Sequence, residues 1–131
     1  MKLPFFLLFM TSSVILSCST DANSGSDIFI IKVDSIRLPR AVMLGDTLNI
    51  RFYGTIGSNG NYSFDRFESS MENTTLNVTA WGKVVHNDVA TQVMVYLDGK
   101  TYAFVPTRTG AYRISIHQPD ASTLEDTVLV H

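Results

Sequence analysis

Thr47-Leu48-Asn49-Ile50-Arg51-Phe52-Tyr53 is the cleanest alternating stretch in the chain. Leu48, Ile50 and Phe52 fall on one side, and Thr47, Asn49 and Arg51 fall on the other. That period of two belongs to a strand with one buried face and one wet face. Leu44-Gly45-Asp46 in front of it reads as a turn. Gly54 to Gly60 behind it, rich in Gly, Asn and Ser, reads as a loop.

The same grammar extends in both directions. Phe29, Ile31 and Val33 alternate in a strand expected to continue through Ile36 to Leu38 and to stop at Pro39, which has no N–H for a ladder. Tyr62 and Phe64 mark a short strand, Met71 to Thr75 reads as a polar connection, and Leu76, Val78 and Ala80 alternate with Asn77, Thr79 and Trp81. Val93 to Leu97 and Thr101 to Val105 flank Asp98-Gly99, the pair that a type I′ turn favours, and so predict a hairpin with Tyr96 and Tyr102 paired across it. Tyr112, Ile114 and Ile116 form the next strand, Gln118 to Ser122 a turn, and Leu124 to Val130 the last strand. From Ile28 onward no stretch carries a helical stripe. Strands at roughly 8–12-residue spacing, separated by turn chemistry, predict an all-β chain closed as an antiparallel sandwich or barrel.

The first residues break this pattern. Met1 and Lys2 precede an apolar run from Leu3 to Leu16, which is an export-signal arrangement. A spanning helix needs about 20 apolar residues, so the run is too short to cross a bilayer. Val14-Ile15-Leu16-Ser17-Cys18 ends on the single cysteine of the chain and resembles the lipobox of bacterial lipoproteins. The resemblance implies that residues 1–17 are a signal peptide and that Cys18 is acylated and becomes the first mature residue. Simple secretion would instead leave an odd free thiol in an oxidising compartment. Residues 18–27 then form the lipidated cysteine and a flexible linker, and residues 28–131 the folded domain. Loss of Lys2 makes the mature chain one unit more negative than the formal −2 of the full sequence. Ser19 does not resemble an inner-membrane retention signal, which points to an outer-membrane lipoprotein of the cell envelope. Asp21 faintly resembles the acidic export tags of Bacteroidetes lipoproteins and favours the surface over the periplasmic face.

Thr109-Gly110-Ala111-Tyr112-Arg113-Ile114-Ser115-Ile116 resembles the entry to strand F of immunoglobulin-like and fibronectin type III domains. The resemblance implies an Ig-like β-sandwich of about seven to eight strands, with Tyr112 turning its hydroxyl onto the preceding corner. Ile114 stands where antibody domains place a disulfide cysteine, so apolar packing must tie the sheets. Gly57 to Phe64 and Val93 to Leu97 likewise resemble the small Ig-like lipoproteins of Bacteroidetes.

Little in the sequence points to catalysis. Mild acidity argues against a nucleic-acid partner, which needs a basic face. His86 and Asp88 share a loop, but two ligands fall short of the three or four that zinc takes, so no metal and no cofactor is expected. No serine sits in a Gly-x-Ser-x-Gly elbow, and Asp65 and Glu68 are expected on opposite faces of a strand, which does not suit a glycosidase pair. The chain reads as a non-enzyme. Asp34-Ser35-Ile36, Asp46-Thr47-Leu48 and Asp126-Thr127-Val128 resemble Bacteroidetes O-glycosylation triplets, and chance explains them equally well.

The expected role is a binding or scaffold module, anchored to the membrane through its lipid, that meets an envelope protein or glycan through the polar loops Gly57 to Asn61 and Val84 to Ala90. Asn59, Tyr62, His86 and Trp81 are the candidate contact residues. Two alternatives are a glycan-binding domain that stacks sugars on Trp81 and nearby tyrosines, and an inhibitor of envelope proteases.

Overall fold

The structure, a computed structural model, describes residues 25–131. Cys18 and the signal lie outside the described residues. The eleven strands are β1 (Ser26–Ile30), β2 (Ser35–Arg37), β3 (Ala41–Val42), β4 (Leu48–Tyr53), β5 (Thr55–Gly57), β6 (Tyr62–Glu72), β7 (Thr75–Val85), β8 (Val95–Tyr96), β9 (Lys100–Phe104), β10 (Gly110–His117) and β11 (Thr123–Val130). No helix occurs among the described residues. The protein is an all-β sandwich, with apolar side chains of a larger and a smaller sheet meeting between them.

The larger sheet is built on β7. β6 covers one edge of it, and β1 and β10 share the other edge end to end. β11 and then β3 continue the sheet beyond β10. Two of these pairings, β7 with β10 and β11 with β3, are parallel, a departure from the wholly antiparallel arrangement that the spacing predicts. The smaller sheet runs β2-β4-β9, and β5 with β8 prolongs it. Leu48, Ile50 and Phe52 of β4 are buried while Asn49 and Arg51 are exposed, as the alternation predicts. They pack on Leu76, Val78 and Ala80 of β7 and Ile114 and Ile116 of β10 within one core.

Four connections differ from the sequence reading. Gly54 to Gly60, expected as a loop, contains β5, which pairs with β8. The first predicted strand is two. Ile31 still donates to the Ala80 carbonyl at 2.8 Å, but Asp34 donates to Tyr53 of the opposite sheet at 2.8 Å. The chain therefore crosses between sheets within four residues, and β1 begins at Ser26, inside the expected linker.

Met71 to Thr75, expected as a connection, belongs to a hairpin of two 11-residue strands. Glu72 pairs with Thr75, and Asn73 takes the positive φ of 55° that the tight turn requires.

Asp98-Gly99 does not reverse the chain. Leu97 donates to Gly54 and Gly99 donates to Phe52, so Val95 to Phe104 runs antiparallel to Leu48 to Gly57 throughout. The register slips by one residue at the pair, whose φ values of 46° and 78° make it a bulge. Asp-Gly supplies the left-handed backbone that was read from it, but the extra residue is absorbed within a strand. Tyr96 and Tyr102 consequently do not face each other. Tyr96 pairs with Thr55 and is exposed, whereas Tyr102 lies edge-on to Phe67 and shares a hydrogen bond with the Ser69 hydroxyl at 2.6 Å.

Tyr112 is buried at the start of β10. Its hydroxyl donates to the Arg108 carbonyl at 3.0 Å and accepts from the Arg108 N–H at 3.2 Å. One side chain thus closes the corner before the strand. Tyr112→Phe keeps the ring and removes both bonds; it is expected to lower unfolding free energy by about 1–2 kcal/mol in urea titrations. A change near zero would show the corner to be held by packing alone.

Candidate functional site

The structure brings together Asn59, Tyr62 and His86, three of the four residues expected to touch a ligand. They line an open cleft of about 320 Å³ with Asn61, Asn87 and Asp88. The two loops that carry them are stitched side by side. Gly60 donates to Thr91 at 2.8 Å, Val85 donates to Asn61 at 3.0 Å, and the Asn59 carboxamide accepts from the Asn61 N–H at 2.9 Å. Tyr62 is there because Gly57 leaves room for it: a Cβ on Gly57 would sit 2.0 Å from the Tyr62 ring. The other side of that ring meets Phe29 edge-on at 5.8 Å. His86 does not join Asp88. Its Nε2 lies 2.6 Å from Asp27 Oδ2, and both groups are exposed. No group of three or more potential metal ligands occurs among the described residues.

Trp81 stands apart from this cleft. It projects from the outer face of the larger sheet, whereas Tyr62 belongs to the inner face with Phe64 and Gly82. The Arg66 guanidinium lies over the indole at 5.5 Å, and the indole N–H is buried without a hydrogen-bond partner. Tyr53 sits in the smaller sheet under Arg37, at 5.4 Å. The tyrosines and Trp81 therefore form no common stacking platform. Asp65 and Glu68 also differ from expectation. A bulge at Asp65 lets both carboxylates reach Arg66, Glu68 at 3.8 Å.

A larger polar cleft, of about 650 Å³, lies on the outer face of the larger sheet at its other end. Two cross-strand rows form its floor. Thr75, Arg113 and Thr127 make one row across β7, β10 and β11, and Asn77, Ser115 and Glu125 make the next. Adjacent strands about 4.8 Å apart hold each row at fixed spacing. The turn at Glu72 to Thr74 forms a wall. Ser115 is buried although it faces outward, and it lines the floor of the cleft. Arg113, Glu72 and Glu125 make no salt bridge among the described residues. The sequence reading missed this site because its residues come from three strands brought together by a parallel pairing. The only local signal was a run of polar residues at outward positions.

A third, smaller hollow of about 300 Å³ lies at the turn between β10 and β11, lined by Lys32, Gln118 and Asp120. Asp120 accepts hydrogen bonds from the Ser122 hydroxyl and from its N–H, the latter at 3.0 Å. The hydroxyl first, then the N–H, hold its carboxyl below the ordinary range. A lowered carboxylate pKa stabilises the fold above the unfolded value, and that contribution fades as pH falls through the folded one. Ser122→Ala is therefore expected to raise the Asp120 midpoint in a carboxyl-carbon NMR titration. An unchanged midpoint would assign the shift to something other than the Ser122 hydroxyl.

No protein-family model matches the chain, and searches of curated proteins and of solved structures found no match to it.

Proposed function

We propose that the chain is a lipid-anchored, non-catalytic binding module of the outer-membrane envelope, with an Ig-like sandwich presenting the cleft around Arg113 and Ser115 to a polyhydroxylated ligand such as an oligosaccharide. The hydrogen-bonding floor of that cleft carries the reading. Hydroxyl, carboxamide, carboxylate and guanidinium groups stand at fixed spacing on paired strands, with an arginine and two glutamates that make no salt bridge among the described residues. A site on strands is held more rigidly than one on loops. The Tyr112 corner supports the Ig-like relation, and the parallel pairing of β7 with β10 is where this chain departs from that pattern. The lipobox around Cys18 supports the anchor and the envelope location.

The aromatic residues that first suggested sugar stacking play no part in this reading. Affinity would come from hydrogen bonds, with Arg113 contributing most as the only guanidinium in the cleft. The test is titration of neutral and charged envelope oligosaccharides, followed by amide chemical shifts. Shifts should concentrate at Asn77, Arg113, Ser115 and Thr127. Arg113→Ala should weaken binding by about tenfold or more, the effect of losing one or two hydrogen bonds to a charged group. Silence across the panel would remove the glycan reading. Shifts confined to Asn59, Tyr62 and His86 would move the site to the loop cleft.

A further inference from the structure

The domain departs toward Cys18 at the end that carries the loops. The Gly25 carbonyl accepts from the His86 N–H at 3.0 Å, and Asp27 is paired with the His86 ring. The segment after His86 exposes Val89 to 84%, Val93 to 49% and Met94 to 47%, and Ile28 on β1 is 53% exposed. The Gly60 N–H ties that segment to the neighbouring loop through the Thr91 carbonyl, and bonds from Val93 to Thr91 and from Val89 to the Asn87 side chain shape turns within it. A single exposed valine is ordinary, but this end of the sandwich exposes four large apolar side chains.

The opposite end has exposed apolar residues of its own in Met43, Leu44, Val105 and Leu129. Exposure alone therefore does not choose between the ends. The distance to the anchor does. Six residues separate Gly25 from Cys18, and the seven residue steps between them span at most about 25 Å when fully extended. Strand β7, with 11 residues, is on the order of 36 Å long. An acylated Cys18 thus keeps the loop end near the lipid and excludes an upright pose with the Glu72 to Thr75 turn on the lipid and the loop end away from it.

We propose that the loop end rests on the phospholipid surface, with Val89, Val93, Met94 and Ile28 at the boundary between headgroups and acyl chains. The inference depends on the lipoprotein reading of Cys18 and adds an orientation to it. These side chains need not hold the protein on the membrane. A short tether keeps them at a millimolar-scale effective concentration, so a weak contact suffices to choose one pose. In that pose the cleft around Arg113 faces away from the bilayer, open to a ligand, while the cleft around Asn59 and His86 faces the headgroups.

The experiment uses the full chain, exported and purified from a bacterial envelope. Mass spectrometry of its N-terminal peptide reports whether Cys18 is acylated. The acylated protein is placed in phosphatidylethanolamine–phosphatidylglycerol vesicles as Trp81→Phe with either Val89→Trp or Met43→Trp. Both new tryptophans lie at exposed positions that a folded domain tolerates, and circular dichroism checks the fold of each. Bromine-labelled lipids should quench the tryptophan at position 89 several-fold more strongly than the one at 43, with a blue-shifted emission only at 89. Equal quenching at the two positions, with Cys18 acylated, would overturn the orientation and leave the anchor standing. An unmodified Cys18 would overturn the anchor reading and the orientation with it.

Discussion

Gln118→Leu is expected to destabilise the protein by about 2–5 kcal/mol, enough to show as a clear drop in the urea midpoint. Gln118 is a polar residue buried in the sandwich. Its Nε2 donates to the Val33 carbonyl at 2.8 Å, and its Oε1 accepts from the Val33 N–H at 3.0 Å. The side-chain amide thus does the work of a neighbouring strand at the point where the chain has left β7 and not yet joined β4. Leucine fills the space but leaves a buried N–H and a buried C=O with nothing to bond, each costing about 1–3 kcal/mol. Gln118→Glu discriminates further. A carboxylate can still accept from the Val33 N–H but meets the Val33 carbonyl as a second acceptor, so it should be nearly as damaging at neutral pH. It should recover in part as acid protonates it. If Gln118→Leu leaves stability unchanged, water or a neighbouring group satisfies Val33, and the crossing does not depend on this amide.

Phe52→Ala is expected to cost about 3–5 kcal/mol, the usual price of emptying an aromatic site in a core. Phe52 is fully buried. Its ring lies 4.7 Å from Phe67, which in turn lies 4.8 Å from Phe64 and 5.7 Å from Tyr102. Phe52 and Tyr102 come from the smaller sheet and Phe64 and Phe67 from β6 of the larger one. No described disulfide or metal supplements this apolar tie between sheets. Phe52→Leu should recover much of the loss by keeping most of the volume. The check is calorimetry of the two variants beside the parent. An alanine variant within about 1 kcal/mol of the parent would show that the sheets collapse onto the vacancy, contrary to the close packing expected of such a core.

The two sites differ in how far they could be read in advance. Phe52 was legible: its alternation with Asn49 and Arg51 placed it on a buried face, and it is there. Gln118 was assigned only to a turn, because nothing in Gln118-Pro119-Asp120 announces that an amide will stand in for a strand 85 residues away. The candidate sites divide in the same way. Asn59, Tyr62 and His86 lie in or beside polar loops, and the loops meet. Trp81 was correctly out of phase with its buried neighbours, but Arg66 covers it across the β6–β7 pairing. Arg113 and Ser115 drew no notice as ligand contacts, since their neighbours Asn77 and Glu125 are remote in sequence.

Read alone, the order of residues establishes the all-strand character of residues 25–131, the inward and outward faces of most strands, and the need for left-handed backbone at Asp98-Gly99. These follow from side-chain period and backbone sterics, which act over two or three residues. Folding in three dimensions settles which edges meet. It makes Asp98-Gly99 a bulge, sends the chain from one sheet to the other after Ile31, and lays β10 parallel to β7 so that the polar cleft exists. Strand pairing has this freedom because every backbone edge carries the same donors and acceptors. The choice among edges falls to burial summed over the whole core, a quantity that no short stretch contains.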